Sequence, residues 1–219
     1  MYWVEEKEDE PVSVPDDIVD LAFDIRCQAL PVDNAWPLEQ AIEAALPWWK
    51  GEPRAAVHTI HGAESGNGWY RPEGGDDMLY LSRRTKLVLR LPKERVEEAK
   101  ALTGQRLDIA GHVMEIAAAK VRRLSTLTSL YARHVVTEGC EDEERFLEWA
   151  VSELQGMGIT FKKVLSGRGS VVATPDGAVA TRSLLVAGLG IEDAIRLQQE
   201  GLGSHRKLGC GLFIPHKKV

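Results

Sequence analysis

Cysteine is scarce and scattered in this 219-residue chain: Cys27, Cys140 and Cys210 are odd in number and form no CxxC pair. That distribution argues against a disulfide framework and a thiolate zinc site, and it fits a reducing, cytoplasmic compartment. No uncharged apolar run approaches the ~18 residues that a membrane-spanning helix requires. The opening MYWVEEKEDE is acidic where a secretory signal would be basic. No Gly-Lys-Ser/Thr marks a nucleotide P-loop, and no pair of the six histidines has HExxH or other metal spacing. The aromatic consensus of base-stacking RRM sheets is missing as well. No metal and no cofactor is therefore expected.

An excess of positive charge is also missing overall, since the net charge is -6. Its placement changes the meaning. The first 20 residues hold eight acids and one base, Lys7, so they carry -7 and leave the other 199 at +1. From Thr160 onward nine bases face four acids. The body is near neutral and its C-terminal part basic, which suits a polyanionic partner better than the total suggests.

Hydrophobic periodicity orders the rest. Residues 1–17 read as an acidic, flexible leader. Leu21, Phe23, Ile25 and Cys27 alternate as in a half-buried strand, and Leu38, Ala41, Ile42, Ala45 and Leu46 recur at helical spacing between Pro37 and Pro47. AAVHTIHG reads as a second strand, followed by the glycine-rich loop GAESGNGWYRPEGGDD. LYLSRRTKLVLRLP gives a third strand, Pro92–Leu102 a helix, and RLDIAGHVMEI a strand or hairpin. The second half repeats the order: strand SLYARHVVT, helix EDEERFLEWAVSELQGMG, two or three strands through AVATRSLLVAG, helix Ile191–Glu200, and a last strand LGCGLFIP. Two βαββαβ units predict an α+β fold of tandem ferredoxin-like (RRM-like) domains, one over residues 18–118 and one over 119–219.

The most distinctive motif is GLGSHRKLGCG, Gly201–Gly211. Glycines such as Gly203, Gly209 and Gly211 let backbone approach a ligand, and His205, Arg206 and Lys207 between them add positive charge, so a phosphate cradle is one reading. A glycine-rich helix C-cap leading into a tight strand entry is the other. Basic clusters elsewhere support a nucleic-acid groove: Arg83, Arg84 and Lys86 before the third strand; Arg122 and Arg123 with Lys120 at the junction; Lys162, Lys163, Arg168 and Arg182 in the second unit's hairpins.

The glycine pattern at the end of a tandem ferredoxin-like chain resembles the CRISPR-repeat endoribonucleases of the RAMP superfamily. The segments AFDIRCQALPVDNAWPLEQAI, LSRRTKLVLRLP, TLTSLYARHV and EDAIRLQQEGLG are similar to the Myxococcus-type (MYXAN) subgroup, over roughly Ile18–Pro215. The resemblance implies binding of CRISPR repeat stem-loop RNA and cleavage of precursor CRISPR RNA without a metal. The ribose 2′-OH attacks the neighbouring phosphate and leaves a 2′,3′-cyclic phosphate and a 5′-OH. It also implies that the product enters an interference complex with other subunits. The family's catalytic histidine follows the first helix, where His58 and His61 stand here. Three apart on a strand, they should face opposite sides, His58 with Ala56 and Ile60 on a core face and His61 beside the glycine-rich loop. Tyr70 or Tyr80 could assist. Two other readings accommodate the same residues: a non-catalytic RAMP subunit that holds guide RNA, and a ferredoxin-like regulator that binds a metabolite.

Overall fold

The computed structural model describes residues 14–61, 78–140 and 142–216. Strands β1 (Ile18–Arg26), β3 (Ala56–Val57), β5 (Lys86–Pro92), β6 (Arg106–Ile109) and β7 (His112–Arg122) form an antiparallel sheet in the order β3-β5-β1-β7-β6. A second sheet holds β8 (Ser129–Val136), β9 (Lys163–Thr174), β10 (Gly177–Ala187) and β11 (Ile214–Pro215) in the order β11-β8-β10-β9. Counting strands within each unit, with β6 set aside as an extension, both sheets run second-third-first-fourth. These are two ferredoxin-like domains. The expected junction after residue 118 falls inside β7, which continues to Arg122.

Helix α1 (Ala35–Ala45) and the short α2 (Val96–Ala99), lengthened by 3₁₀ turns at both ends, cover one face of the first sheet. Leu38, Ile42, Val96 and Leu102 pack there on Leu21, Phe23, Leu87 and Leu89. In the second domain α3 (Glu143–Gly156) and α4 (Ile191–Glu200) bring Phe146, Leu154, Ala194 and Leu197 onto Leu130, Ala132, Leu184 and Val186. Asp142 caps α3 by accepting from the backbone N–H groups of Glu144 and Arg145. Trp49 is fully buried and Trp48 packs beside it, as core rather than as base-stacking surfaces.

Several elements depart from the sequence reading. The expected second strand keeps ladder pairing only at Ala56 and Val57, and His58–His61 leave it. A small extra ribbon pairs β2 (Ala29–Pro31) with β4 (Met78–Tyr80), so LYLSRRTKLVLRLP is two strands around a turn. The last strand shrinks to Ile214–Pro215 because Gly209 and Gly211 sit at φ 81° and 65°, outside strand geometry. Conversely, β9 and β10 form one long hairpin across the expected PDG turn.

Two small apolar clusters join the domains. Leu208 and Cys210 pack with Val136, Val172 and Trp36, while Ile18 packs with Leu124 and Ile195. The face of the first sheet opposite α1 and α2 thus looks toward the second domain. Across that face Arg122, Asp20, Arg90 and Ala56 are direct neighbours on β7, β1, β5 and β3. Among the described residues no helix is long and apolar enough to cross a membrane.

Candidate active cleft

A cleft of about 900 Å³ opens between the two domains. From the first domain come the segment leaving β3, His58–His61, and the turn and start of β5, with Arg84, Thr85 and Lys86. From the second come Tyr131 and Arg133 on β8, Arg168 on β9, Ser183 on β10 and His216 after β11. Among the described residues, four permanent cations and three histidines line this space, and none of those lining residues is acidic. The Lys86 ammonium is shared with Asp24 behind the wall. Such a field concentrates polyanions.

Both candidate histidines reach the cleft, each with a ring nitrogen in a hydrogen bond. His61 Nδ1 lies 3.2 Å from the Thr59 carbonyl. A carbonyl only accepts, so Nδ1 carries a proton. The His61 side chain is exposed at the rim. His58 is set differently. Its backbone N–H still donates to the Val88 carbonyl, at 2.9 Å, so the residue stays beside β5 although the strand has formally ended. Its Nε2 lies 3.2 Å from Asp20 Oδ1, which makes Nε2 the protonated nitrogen and Nδ1 the acceptor. His58 is therefore not packed among apolar neighbours as its strand position suggested.

The electrostatics behind His58 are strong. Burial would raise the Asp20 pKa, yet Arg90 and His58 hold the carboxyl far below the ordinary carboxylate range. Arg90, 1% exposed, grips both Asp20 oxygens at 2.8 and 3.0 Å. For His58, burial lowers the pKa, Asp20 opposes that shift, and Arg90 and Arg122 add to it; the net direction is down from 6.5. The ring is neutral near pH 7, the state a general base needs.

The glycine motif has another occupation than the surface cradle expected. Gly209 leans on the segment bearing the histidines: a Cβ there would meet Thr59 Cγ2 at 2.6 Å and the Val57 carbonyl at 3.1 Å. Gly211 crosses Leu202 so closely that a Cβ would stand 2.1 Å from its carbonyl oxygen. The Arg206 guanidinium turns inward and donates to the Gln199 carbonyl at 2.9 Å, and burial, with Arg90 nearby, lowers its pKa to about 10. Lys207 donates to the Lys50 carbonyl of the first domain at 2.6 Å. His205, at φ 61°, bonds Ser204, and Gly203 lies by Trp149. Of this motif only Gly209 lines the cleft.

The remaining basic candidates scatter. Arg83 is exposed beside Arg84 but outside the lining. Arg122 and Arg123 are exposed at the end of β7, and Lys162 and Lys163 at the start of β9, with the Lys162 stem over Gly188. Arg182 donates to the Gly167 carbonyl at 3.3 Å. Tyr80 is 77% exposed and also outside the cleft lining, while Tyr70 and the loop around it lie outside the described residues. Sequence reasoning missed Tyr131, Arg133, His216, Asp20 and Arg90. A signal existed for two of them: Tyr131 and Arg133 alternate with buried Leu130, Ala132 and His134, which puts them on the strand's other face.

Comparison with known proteins agrees with this architecture. The Cas6 (CRISPR) family model matches residues 19–218. The CRISPR-associated endonuclease Cas6 of Myxococcus xanthus (strain DK1622) is 30% identical over 197 residues, covering 90% of this chain and 81% of that protein. Among solved structures, a CRISPR-associated protein Cas6 superposes with a TM-score of 0.61 at 11% identity, over 91% of this chain and all of that one. The product of a Cas6-related gene from Pyrococcus furiosus gives 0.60 at 12% identity, over 92% of this chain and all of that one. At these identities the structural likeness carries the fold, and the sequence match carries the family: the chain belongs to the Cas6 family of CRISPR-associated endonucleases.

Proposed function

We propose that this protein binds CRISPR repeat RNA in the interdomain cleft and cuts precursor CRISPR RNA there by metal-independent attack of a ribose 2′-OH. The observation that carries the reading is the meeting of two histidines with Arg84, Lys86, Arg133 and Arg168 in one cleft. The reaction needs a base for the 2′-OH, an acid for the departing 5′-oxygen, and cations for the pentavalent phosphate. His61, exposed at the rim, is the leading acid–base group, and His58 is the second. The arginines and Lys86 take the phosphate charge. An RNA stem presents phosphates and shape more than readable base edges, so these cations supply grip while selection falls to flanking nucleotides. The product carries a 2′,3′-cyclic phosphate and a 5′-OH, and the processed RNA passes with the protein into a larger interference complex.

Single-turnover cleavage of a repeat RNA tests this. His61→Ala, or His58→Ala if His58 is the principal group, should lower the rate roughly 10²–10⁴-fold while affinity barely changes, because the ring acts on the transition state. EDTA should leave the wild-type rate unchanged. Rates within about threefold of wild type for both alanine variants would overturn the histidine assignment and leave Tyr70, Arg83 and Arg84 as the next candidates. Loss of cleavage in EDTA would overturn the metal-free route.

A further inference from the structure

Asp20 stands at the crossing of two connections. On one side its Oδ1 accepts from His58 Nε2 at 3.2 Å. On the other, both its oxygens are held by Arg90. Arg90 in turn spends its remaining donor capacity across the domain boundary, where Nη1 donates to the Gln198 carbonyl at the end of α4 at 2.9 Å and to the Phe213 carbonyl just before β11 at 2.8 Å. Gln198 is itself fastened, its side-chain amide bonding the Ser125 backbone on both edges. A buried guanidinium held this way is a rigid strut, because moving the domains apart leaves both Nη1 N–H groups without acceptors while the ion pair with Asp20 stays in the first domain. The strut is confined to the sheet face that looks toward the second domain, and its far end is the imidazole on the cleft wall.

We propose that Asp20 is a positioning residue for cleavage: through Arg90 it ties the His58 ring to the second domain, so that the histidine and the opposing arginine-bearing wall are set in one register. The proposal rests on the reading of the cleft as the cleavage site. Asp20 has two effects on the ring. It fixes the tautomer that leaves Nδ1 as acceptor, and it opposes the lowering of the ring's basicity by burial, by Arg90 on β5 and by Arg122 on β7.

The test is single-turnover cleavage of repeat RNA from pH 5 to 9 with saturating protein, on Asp20→Asn, His58→Ala and their combination, with the folded fraction measured by RNA titration. Asp20→Asn should slow cleavage about 10–10²-fold at nearly unchanged affinity. It should also move the pH-rate limb assigned to His58 to lower pH, since Arg90 and Arg122 still act on the ring and the carboxylate no longer opposes them. In the His58→Ala background the same substitution should cost little further. A wild-type rate and pH profile for Asp20→Asn, or an Asp20 effect that persists in full without the imidazole, would overturn the proposal. If His58→Ala itself cleaves normally, the role of His58 in the cleft fails first and the proposal with it. Should Asp20→Asn not fold because Arg90 is stranded, Asp20→Asn with Arg90→Gln removes both charges together. That variant should show the same loss and the same direction of pH shift, the carboxylate being the nearer charge to the ring. A wild-type profile there would again refute the role.

Discussion

The second strands of the two ferredoxin-like units are topological equivalents with opposite fates. In the first unit β3 pairs for only Ala56 and Val57; His58 keeps one backbone bond to Val88, and the chain then leaves β5 toward His61. In the second, β9 runs for twelve residues in a hairpin with β10, and Arg168 stands at a bulge of that ladder, between the pairs Gly169–Arg182 and Ser166–Leu184. A side chain at a bulge is re-aimed, but pairing on both flanks still holds its backbone, which suits a static charged wall. Side chains on a segment released from the ladder can be re-aimed, but each then needs its own anchor. Asp20 serves that purpose for His58 and the Thr59 carbonyl for His61. On the proposed reading, the same fold yields one wall for chemistry and one for grip.

The largest effect should come from breaking the seat between these walls. Gly209→Ala places a methyl 2.6 Å from Thr59 Cγ2 at a backbone φ of 81°. The left-handed conformation costs about 1–2 kcal/mol for a residue with a Cβ, and overpacking adds about 1–3 kcal/mol. The melting temperature should fall by roughly 5–10 °C, measured by thermal unfolding. Thr59→Ser in the same chain removes the clashing methyl and should recover part of that loss. An unchanged melting temperature for Gly209→Ala would mean that the loop does not press on the β3 exit.

This steric requirement explains how unevenly the site could be read from sequence. Strand alternation and helical spacing gave both βαββαβ units, because burial imposes those periods on every residue of an element. The early end of β3 left no such trace: AAVHTIHG still alternates, and the ladder is broken by the loop from the other domain that packs there. Asp20 counted only as one of eight acids in the first 20 residues, since a buried carboxylate and an exposed one are the same letter until Arg90 is placed opposite, 70 residues later. Arg206 and Lys207 looked like phosphate ligands by their glycine flanks, yet both donate to backbone carbonyls inside the protein. The glycines there remove bulk at a crossing.

A smaller effect should separate the walls by their kinetics. Arg133 and Arg168 belong to the second domain's wall. Replacing both with alanine should weaken RNA binding about 10–100-fold and lower the salt dependence by about two counterions, read from affinity against salt concentration. Cleavage at saturating protein should fall far less than in the histidine variants. If the double variant instead cleaved as slowly as His61→Ala while binding normally, the division into chemical and gripping walls would be wrong.

The smallest effect should come from the acidic leader. Residues 1–13 hold five acids and one base, a charge of -4, whereas the acids that follow are engaged in the fold: Asp16 with Lys93, Asp17 with Gln199, and Asp20 with Arg90 and His58. Removing residues 1–13 therefore discards four net negative charges and none of these partners. Like charge opposes an RNA phosphate backbone, within the reach set by the ~8 Å Debye length at physiological salt. Affinity should stay equal or rise by no more than about threefold, and any gain should shrink as salt is added. The comparison is made by titrating repeat RNA with full-length and shortened protein at two salt concentrations. A large loss of affinity on deletion would show that the leader supplies contacts of its own and that the cleft, with its two walls, is not the whole RNA-binding surface.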